Sequence, residues 1–226
     1  MVLSENDRAL ARLPCLKRVF FKFLRLFFKL LYHQLAWTYD GVAWVVSLGN
    51  WQKWVEATIA YLDGPRILEI GFGPGHLQLA LQREDVLVLG LDESQQMVNL
   101  ARRRLKKHGF LPHLVRGDAQ TIPLASECVN QVVLTFPAEF IFKSSTISEI
   151  RRVLVPGGKV LVVAIAWITG RKPLERLLAW VNRIAGQAPN WEPRMLEPLK
   201  ASGFAVSWEM VELSNSKLVL ISLTKA

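Results

Sequence analysis

From residue 66 onward the apolar residues of this chain fall into short runs separated by helical patterns. Ile67, Leu68 and Ile70 make the first run; further runs cover residues 86–91, 111–116, 129–135 and 159–167, the first four runs each finishing at a polar or loop-forming residue. Runs this short predict strands, and the longer intervals between them, with apolar residues at three- and four-residue spacing, predict helices. Strand and helix in alternation predict βαβ units and hence a largely parallel, doubly covered sheet. Residues 94–107 are expected to be helical, with Ser94 as N-cap and a cluster of basic residues at the end. Those cations suit a helix C-terminus and need no further partner to explain them. A helix over 146–154, a Pro156-Gly157-Gly158 turn, a last helix over 195–202 and a hairpin of 204–211 with 217–223 complete this half.

Before residue 66 the rhythm differs. Over residues 16–37, at about 100° per residue, Arg18, Lys22, Arg25, Lys29 and His33 fall in one narrow arc. Phe20, Phe23, Leu24, Phe27, Leu30 and Leu31 cover most of the rest. A broad apolar face beside a thin basic one suits a helix lying in an anionic membrane surface. Packing against the protein's own core or a second copy is the alternative reading. The absence of any Asp or Glu between Arg8 and Gln34 favours the membrane. Phe-rich flanks argue against nucleic acid as the partner. Residues 38–62 carry Trp44, Trp51 and Trp54 between breakers and are expected to form two short helices, the second over 51–62. Residues 1–62 are thus read as a helical amino-terminal segment and 63–226 as the main domain.

Composition changes this picture little. The chain has 226 residues, enough for one well-buried domain, and a formal charge of +9. Cys15 and Cys128 lie far apart with no metal-ligand spacing, so no metal site is expected and a reducing compartment is read. No cleaved leader is expected, and no uncharged apolar stretch reaches the ~18 residues of a spanning helix.

The chemistry concentrates at the strand ends. Ile70 runs into Gly71-Phe72-Gly73-Pro74-Gly75 and then a helical pattern, an arrangement that brings backbone close to a nucleotide-like ligand. Asp92 ends the second strand, Gly117-Asp118-Ala119 follows the third, and Thr135-Phe136-Pro137 the fourth. All lie on the carboxyl edge, where open α/β sheets bind ligands. A dinucleotide fingerprint fits poorly, because His76 stands where its third glycine would fall.

These motifs, in this order, resemble those of the class I S-adenosylmethionine-dependent methyltransferases, in the lipid- and quinone-modifying branch. The resemblance runs from about Tyr39 to the C-terminus. Glu69 to Gly75 is similar to the family's first motif, Leu91-Asp92 with Met97 to the second, and Gly117-Asp118-Ala119 to the third. Val132 to Phe136 is similar to the fourth, and Leu154 to Lys159 to the turn before the fifth strand. It implies a Rossmann-like, doubly wound, mostly parallel seven-stranded sheet with a C-terminal antiparallel hairpin and a helical extension in front. It further implies S-adenosylmethionine as methyl donor, held by Glu69, Gly71, Phe72, Gly73, Gly75, Asp92, Glu93, Met97, Asp118, Ala119 and Thr135. Glu69 is expected near the methionine ammonium, Asp92 at the ribose diol, Asp118 and the Ala119 N–H at adenine, and Met97 on the adenine face.

For the transfer itself the candidates are Tyr39 and Asp40, similar to a Tyr-Asp pair in related quinone and lipid methyltransferases, with Thr135, Glu139 and His33. The family's frequent His pair after the fourth strand is replaced by Pro137-Ala138-Glu139. Residues 168–193, basic and holding Trp180 and Trp191, form a second candidate membrane- or acceptor-facing element. The expected activity is methylation of a lipophilic acceptor, a phospholipid headgroup amine or an isoprenoid quinone, by a cytoplasmic protein bound peripherally to the membrane. A soluble small-molecule methyltransferase with a helical lid, and a peripheral protein that binds the donor without catalysis, remain alternatives.

Overall fold

A computed structural model describes residues 39–137, 139–169 and 196–225. The basic helix expected over 16–37, His33, and most of the 168–193 element lie outside these residues. Two helices, α1 (Tyr39–Ser47) and α2 (Trp51–Glu56), precede the sheet, and a 3-10 turn at Ile59–Tyr61 stands where the second helix was expected to continue. Then come β1 (Ile67–Ile70), α3 (His76–Arg83), β2 (Val88–Asp92), α4 (Gln95–Lys107), β3 (Leu114–Arg116) and β4 (Val129–Thr135). A 3-10 turn (Glu139–Phe142), α5 (Ser144–Val153), β5 (Leu154–Ile168), α6 (Glu197–Ala201), β6 (Phe204–Leu213) and β7 (Ser216–Lys225) complete the described chain.

The seven strands form one sheet in the order β3-β2-β1-β4-β5-β7-β6. The first five are parallel to one another, and β7 runs antiparallel to both its neighbours. The expected fold class holds, including the antiparallel carboxyl end. Successive strand residues serve opposite faces. Leu68, Val132, Leu134, Val160, Val162, Val219 and Ile221 belong to one core cluster, with Ile147, Ile150 and Leu199. Ile67, Val133, Leu161, Val163, Leu218 and Leu220 belong to the other, with Trp54, Val55, Leu77 and Leu81. β1, β4, β5 and β7 are therefore apolar on both sides, which is why they read as apolar runs, whereas β3 and β6 at the sheet edges are largely exposed.

Two strand limits differ from expectation. β3 is only Leu114–Arg116, because at the sheet edge Leu111 and Val115 are solvent-exposed and little is gained by extending the pairing. β5 begins at Leu154 rather than 159: the Pro156-Gly157-Gly158 turn is absorbed into the strand, with Gly157 at φ 71°.

Gln131 joins the helical layer to the sheet. Buried on β4, its side-chain oxygen accepts the N–H groups of Asp63 (2.9 Å) and Gly64 (2.7 Å), and its amide donates to the Tyr61 carbonyl (3.0 Å). One side chain thus satisfies three backbone groups of the segment leading into β1.

Candidate active site

The strand order reverses between β1 and β4. There β1 continues through α3 to β2 on one side, while β4 pairs on the other. Loops leaving these two strands diverge and open a crevice, the expected ligand position of such a sheet. Its floor is the turn after β1, in which Gly71, Gly73 and Gly75 all have positive φ, at 73°, 53° and 80°. The three serve different needs. A Cβ on Gly75 would lie 2.7 Å from the Ala101 Cβ, so this glycine lets α3 pack against α4. A Cβ on Gly73 would meet nothing within 4 Å, and one on Gly71 only the Phe140 ring at 3.7 Å. These two keep the floor free of side chains where a ligand would lie.

Asp92 holds that turn in place. Its Oδ2 accepts the Gly73 N–H and its Oδ1 the Ser94 N–H, both at 2.9 Å. Because β2 ends beside β1, the carboxylate is buried at the loop and α4 starts directly after it, capped by the Ser94 hydroxyl accepting from the Met97 N–H (3.3 Å).

Glu69 shares the sheet face of Ile67, two residues before it, and so points toward α3. It is buried and accepts a hydrogen bond from Gln78 Nε2 at 2.8 Å. Burial pushes its carboxyl up to about 8, the Gln78 bond opposing this and the neighbouring Asp92 charge adding to it. At neutral pH Glu69 is a neutral acid. Gln78 Oε1 is buried without a partner among the described residues; a half-turn of the amide would let it accept the Glu69 proton.

Opposite the glycine turn stands an aromatic wall. Trp51 lies against Phe136 (centroids 4.8 Å apart) and meets Tyr39 edge-on at 6.0 Å, while Trp54 backs Phe136 at 6.0 Å. Phe136 adopts φ 50°, a left-handed conformation that costs a bulky residue of order 1–2 kcal/mol. Its N–H donates to the Val163 carbonyl (2.9 Å), which helps hold the conformation. Tyr39, Trp51, Glu69, Gly71, Gly73 and Thr135 all line the crevice between wall and turn.

Tyr39 and Thr135 are therefore brought together at the crevice. Asp40 does not itself line the crevice: its carboxylate meets His76 Nε2 (2.9 Å), which does, and the Arg104 guanidinium. Those two partners, His76 foremost, hold the Asp40 carboxyl below the usual carboxylate range despite partial burial. The Phe72 ring is committed to a cluster with Leu79, Val98, Ala101, Leu105 and Leu114. Met97 is fully buried under Tyr39 and Ala43 of α1. Glu93 is exposed, its carbonyl accepting from Arg116. Asp118 is exposed and accepts the Gln120 N–H (2.8 Å), with Ala119 buried beside it. Glu139 opens the 3-10 turn after β4.

The sequence reading missed Gln78, Phe136 and Arg104. Gln78 had a signal, a polar residue on the apolar face between Leu77 and Leu81; the positive φ of Phe136 had none. Among the described residues no group of three His, Cys, Asp or Glu side chains is placed to hold a metal ion.

Comparison with known proteins agrees with this geometry. Residues 67–158 match the model of a family described as a methyltransferase domain. The chain is 30% identical over 178 residues to the ubiquinone/menaquinone biosynthesis C-methyltransferase UbiE of Cupriavidus metallidurans, covering 71% of this chain and 72% of that protein. The chain belongs to the class I S-adenosylmethionine-dependent methyltransferases. Within that family it is UbiE-like, being also 30% identical over 157 residues to a demethylmenaquinone methyltransferase of Symbiobacterium thermophilum (66% of this chain, 61% of that one). Solved methyltransferases share its fold. A phosphoethanolamine N-methyltransferase of Haemonchus contortus, in complex with phosphomonomethylethanolamine and S-adenosylhomocysteine, superposes with TM-score 0.55 at 19% identity (78% of this chain, 53% of that one). An S-adenosylmethionine-dependent methyltransferase of Aquifex aeolicus gives 0.56 at 19% identity (76% and 89%).

The protein is thus a methyltransferase with S-adenosylmethionine as its cofactor, and the residues around the crevice suit that group chemically. Its floor is clear at Gly71 and Gly73. A buried neutral carboxyl that a nearby cation would ionise, Glu69, suits a cationic ligand, and Asp92 supplies acceptors at the loop.

Proposed function

We propose that the protein methylates a lipophilic, membrane-associated acceptor, with the ring of an isoprenoid quinone precursor as the leading class and a phospholipid headgroup amine as the second. The observation that carries this reading is the pair Tyr39 and Trp51, which line the crevice with the glycine turn and are backed by Phe136 and Trp54. Flat aromatic side chains favour a flat, apolar acceptor ring. The quinone-biosynthetic relatives support the same class.

S-adenosylmethionine supplies a methyl group on a sulfonium centre already primed to leave. Glu69, ionised by its contact, would hold the ammonium; Asp92 the ribose diol; Asp118 and the Ala119 N–H the adenine edge. Met97, fully covered by α1, would support the adenine side from beneath rather than face it openly. What remains for the chain is alignment and exclusion of water. Trp51, backed by Phe136, forms the dry wall, and Thr135 and Tyr39 stand where an acceptor hydroxyl or ring oxygen could be oriented.

Delivery of the acceptor is assigned to the amino-terminal segment, residues 1–62, with 63–226 as the transferring domain. Residues 16–37 would lie in an anionic membrane surface on the cytoplasmic side. Helix α1, which closes the crevice with Tyr39, exposes Trp44 (64%), Val45 (58%) and Val46 (55%) on its outer side, an apolar patch of the kind that enters an interface.

Radiolabelled methyl transfer into a total lipid extract tests the reading. Label is expected in the neutral, quinone-containing fraction. Label in aminophospholipids would favour the headgroup acceptor. Label only in water-soluble compounds would favour a soluble small-molecule enzyme with a helical lid.

A further inference from the structure

Three elements meet at the rim of the glycine turn, beside the crevice that His76 and Pro74 also line. From α4, Arg104 donates through Nη1 to the Pro74 carbonyl (2.6 Å) and through Nη2 to the Asp40 carboxylate of α1. From the first residue of α3, His76 binds the other Asp40 oxygen at 2.9 Å. Arg104 is one-fifth exposed and Asp40 about half, so what distinguishes this contact from an ordinary surface pair is its geometry. A guanidinium presents donors in a rigid fork and can hold two acceptors in fixed geometry, which an ammonium does less well. Pro74 lies between two left-handed glycines, so its carbonyl is the handle by which the turn can be gripped from outside.

The crevice on the inner side is tight. Between Tyr39 and Trp51 above and the glycine turn below it encloses about 20 Å³, room for one water. Sites for molecules of cofactor size run to roughly 300–1,000 Å³. The space between α1 and the turn is thus narrower than the cofactor, and displacement of α1 would widen it. Among the contacts that hold α1 there are the Asp40 clasp and the packing of Tyr39 and Ala43 on Met97.

We propose that Arg104 is a positioning residue for the methyl donor: gripping Pro74 and Asp40 together, with His76 as second hold on Asp40, it couples closure of α1 to the shape of the donor turn. Arg104 touches neither donor nor acceptor. Its loss lets α1 open more often and lets the turn relax.

The test uses the full chain and S-adenosylhomocysteine or S-adenosylmethionine alone, so it needs no knowledge of the acceptor. In Arg104→Met the dissociation rate of either ligand is expected to rise about tenfold, with the association rate unchanged or faster. Hydrogen exchange of the unliganded protein should quicken in the amides of α1 while those of β1 and β4 stay as in the parent. Asp40→Ala should have the same effect, the double variant should be no worse than either single one, and Asp40→Glu should restore much of the loss. Unchanged dissociation and unchanged α1 exchange in Arg104→Met would overturn the proposal, as would additive effects of the two substitutions. Should Arg104→Met fold poorly, Asp40→Asn, at a half-exposed position, carries the same comparison. Failure of the quinone assignment would leave these ligand-binding results untouched.

Discussion

A buried carboxyl group held neutral at pH 7 has a measurable cost, and beside a ligand's ammonium it would have a measurable use. Between its ordinary value of 4.5 and the value of about 8 reached in the fold, Glu69 keeps a proton that the unfolded chain has released. The folded state then binds more protons than the unfolded one, so the Glu69 contribution to stability falls as pH rises, by up to about 1.4 kcal/mol per unit. It levels off above pH 8. Glu69→Gln removes that slope, so the stability gained over the parent in urea unfolding should be larger at pH 8 than at pH 5. The same substitution should weaken the donor. In the parent, binding at pH 7 should release a proton as the ammonium ionises Glu69. Calorimetry in two buffers of different ionisation enthalpy should detect that proton in the parent and not in Glu69→Gln. The glycines make a second contrast. Gly73→Ala, strained at φ 53° though it meets no neighbour, should cost about 1 kcal/mol of stability and, since its methyl enters the open floor, donor affinity as well. Gly75→Ala should mainly cost stability, about 1–3 kcal/mol, since its methyl would press on Ala101.

Elements were legible where their two faces have the same character. β4 appears with the limits expected, and α4 with its Ser94 cap, because a buried parallel strand is a clean apolar run and an N-cap is a local signal. Edges and joints were less so. β3 is shorter than its apolar run because nothing covers Leu111, and the helix expected over 51–62 breaks after Glu56. Glu69 and Asp92 could be read from their places at strand ends, whereas the Arg104 contact spans 64 residues to Asp40 and leaves no local pattern. Gln131 is a joint of the same kind. Gln131→Leu would leave the Asp63 and Gly64 N–H groups without their acceptor, and a loss of about 2–4 kcal/mol is expected in denaturant unfolding.

For the whole molecule, the membrane reading turns on two surfaces, residues 16–37 and the outer side of α1. Polar replacements at Trp44, Val45 and Val46, all more than half exposed, should leave thermal stability within about 0.5 kcal/mol of the parent. Flotation with anionic liposomes should fall in that variant, and further when residues 1–31 are removed. Equal flotation of parent and deletion would count heavily against the membrane reading.

Trp54 in α2 donates through its indole N–H to the hydroxyl of Ser216, the first residue of β7, at 2.8 Å, and both are buried. The two are 162 positions apart. On the ribosome, then, the tryptophan-bearing helices emerge long before the strand that completes their burial. At some 5–20 residues per second that interval is on the order of ten seconds or more. Throughout it, a sticky amino-terminal stretch awaits its last partner while the strands beside it are already pairing. Synthesis order itself therefore hands a chaperone or a bilayer first access to that end of the chain, and the aromatic wall is finished last.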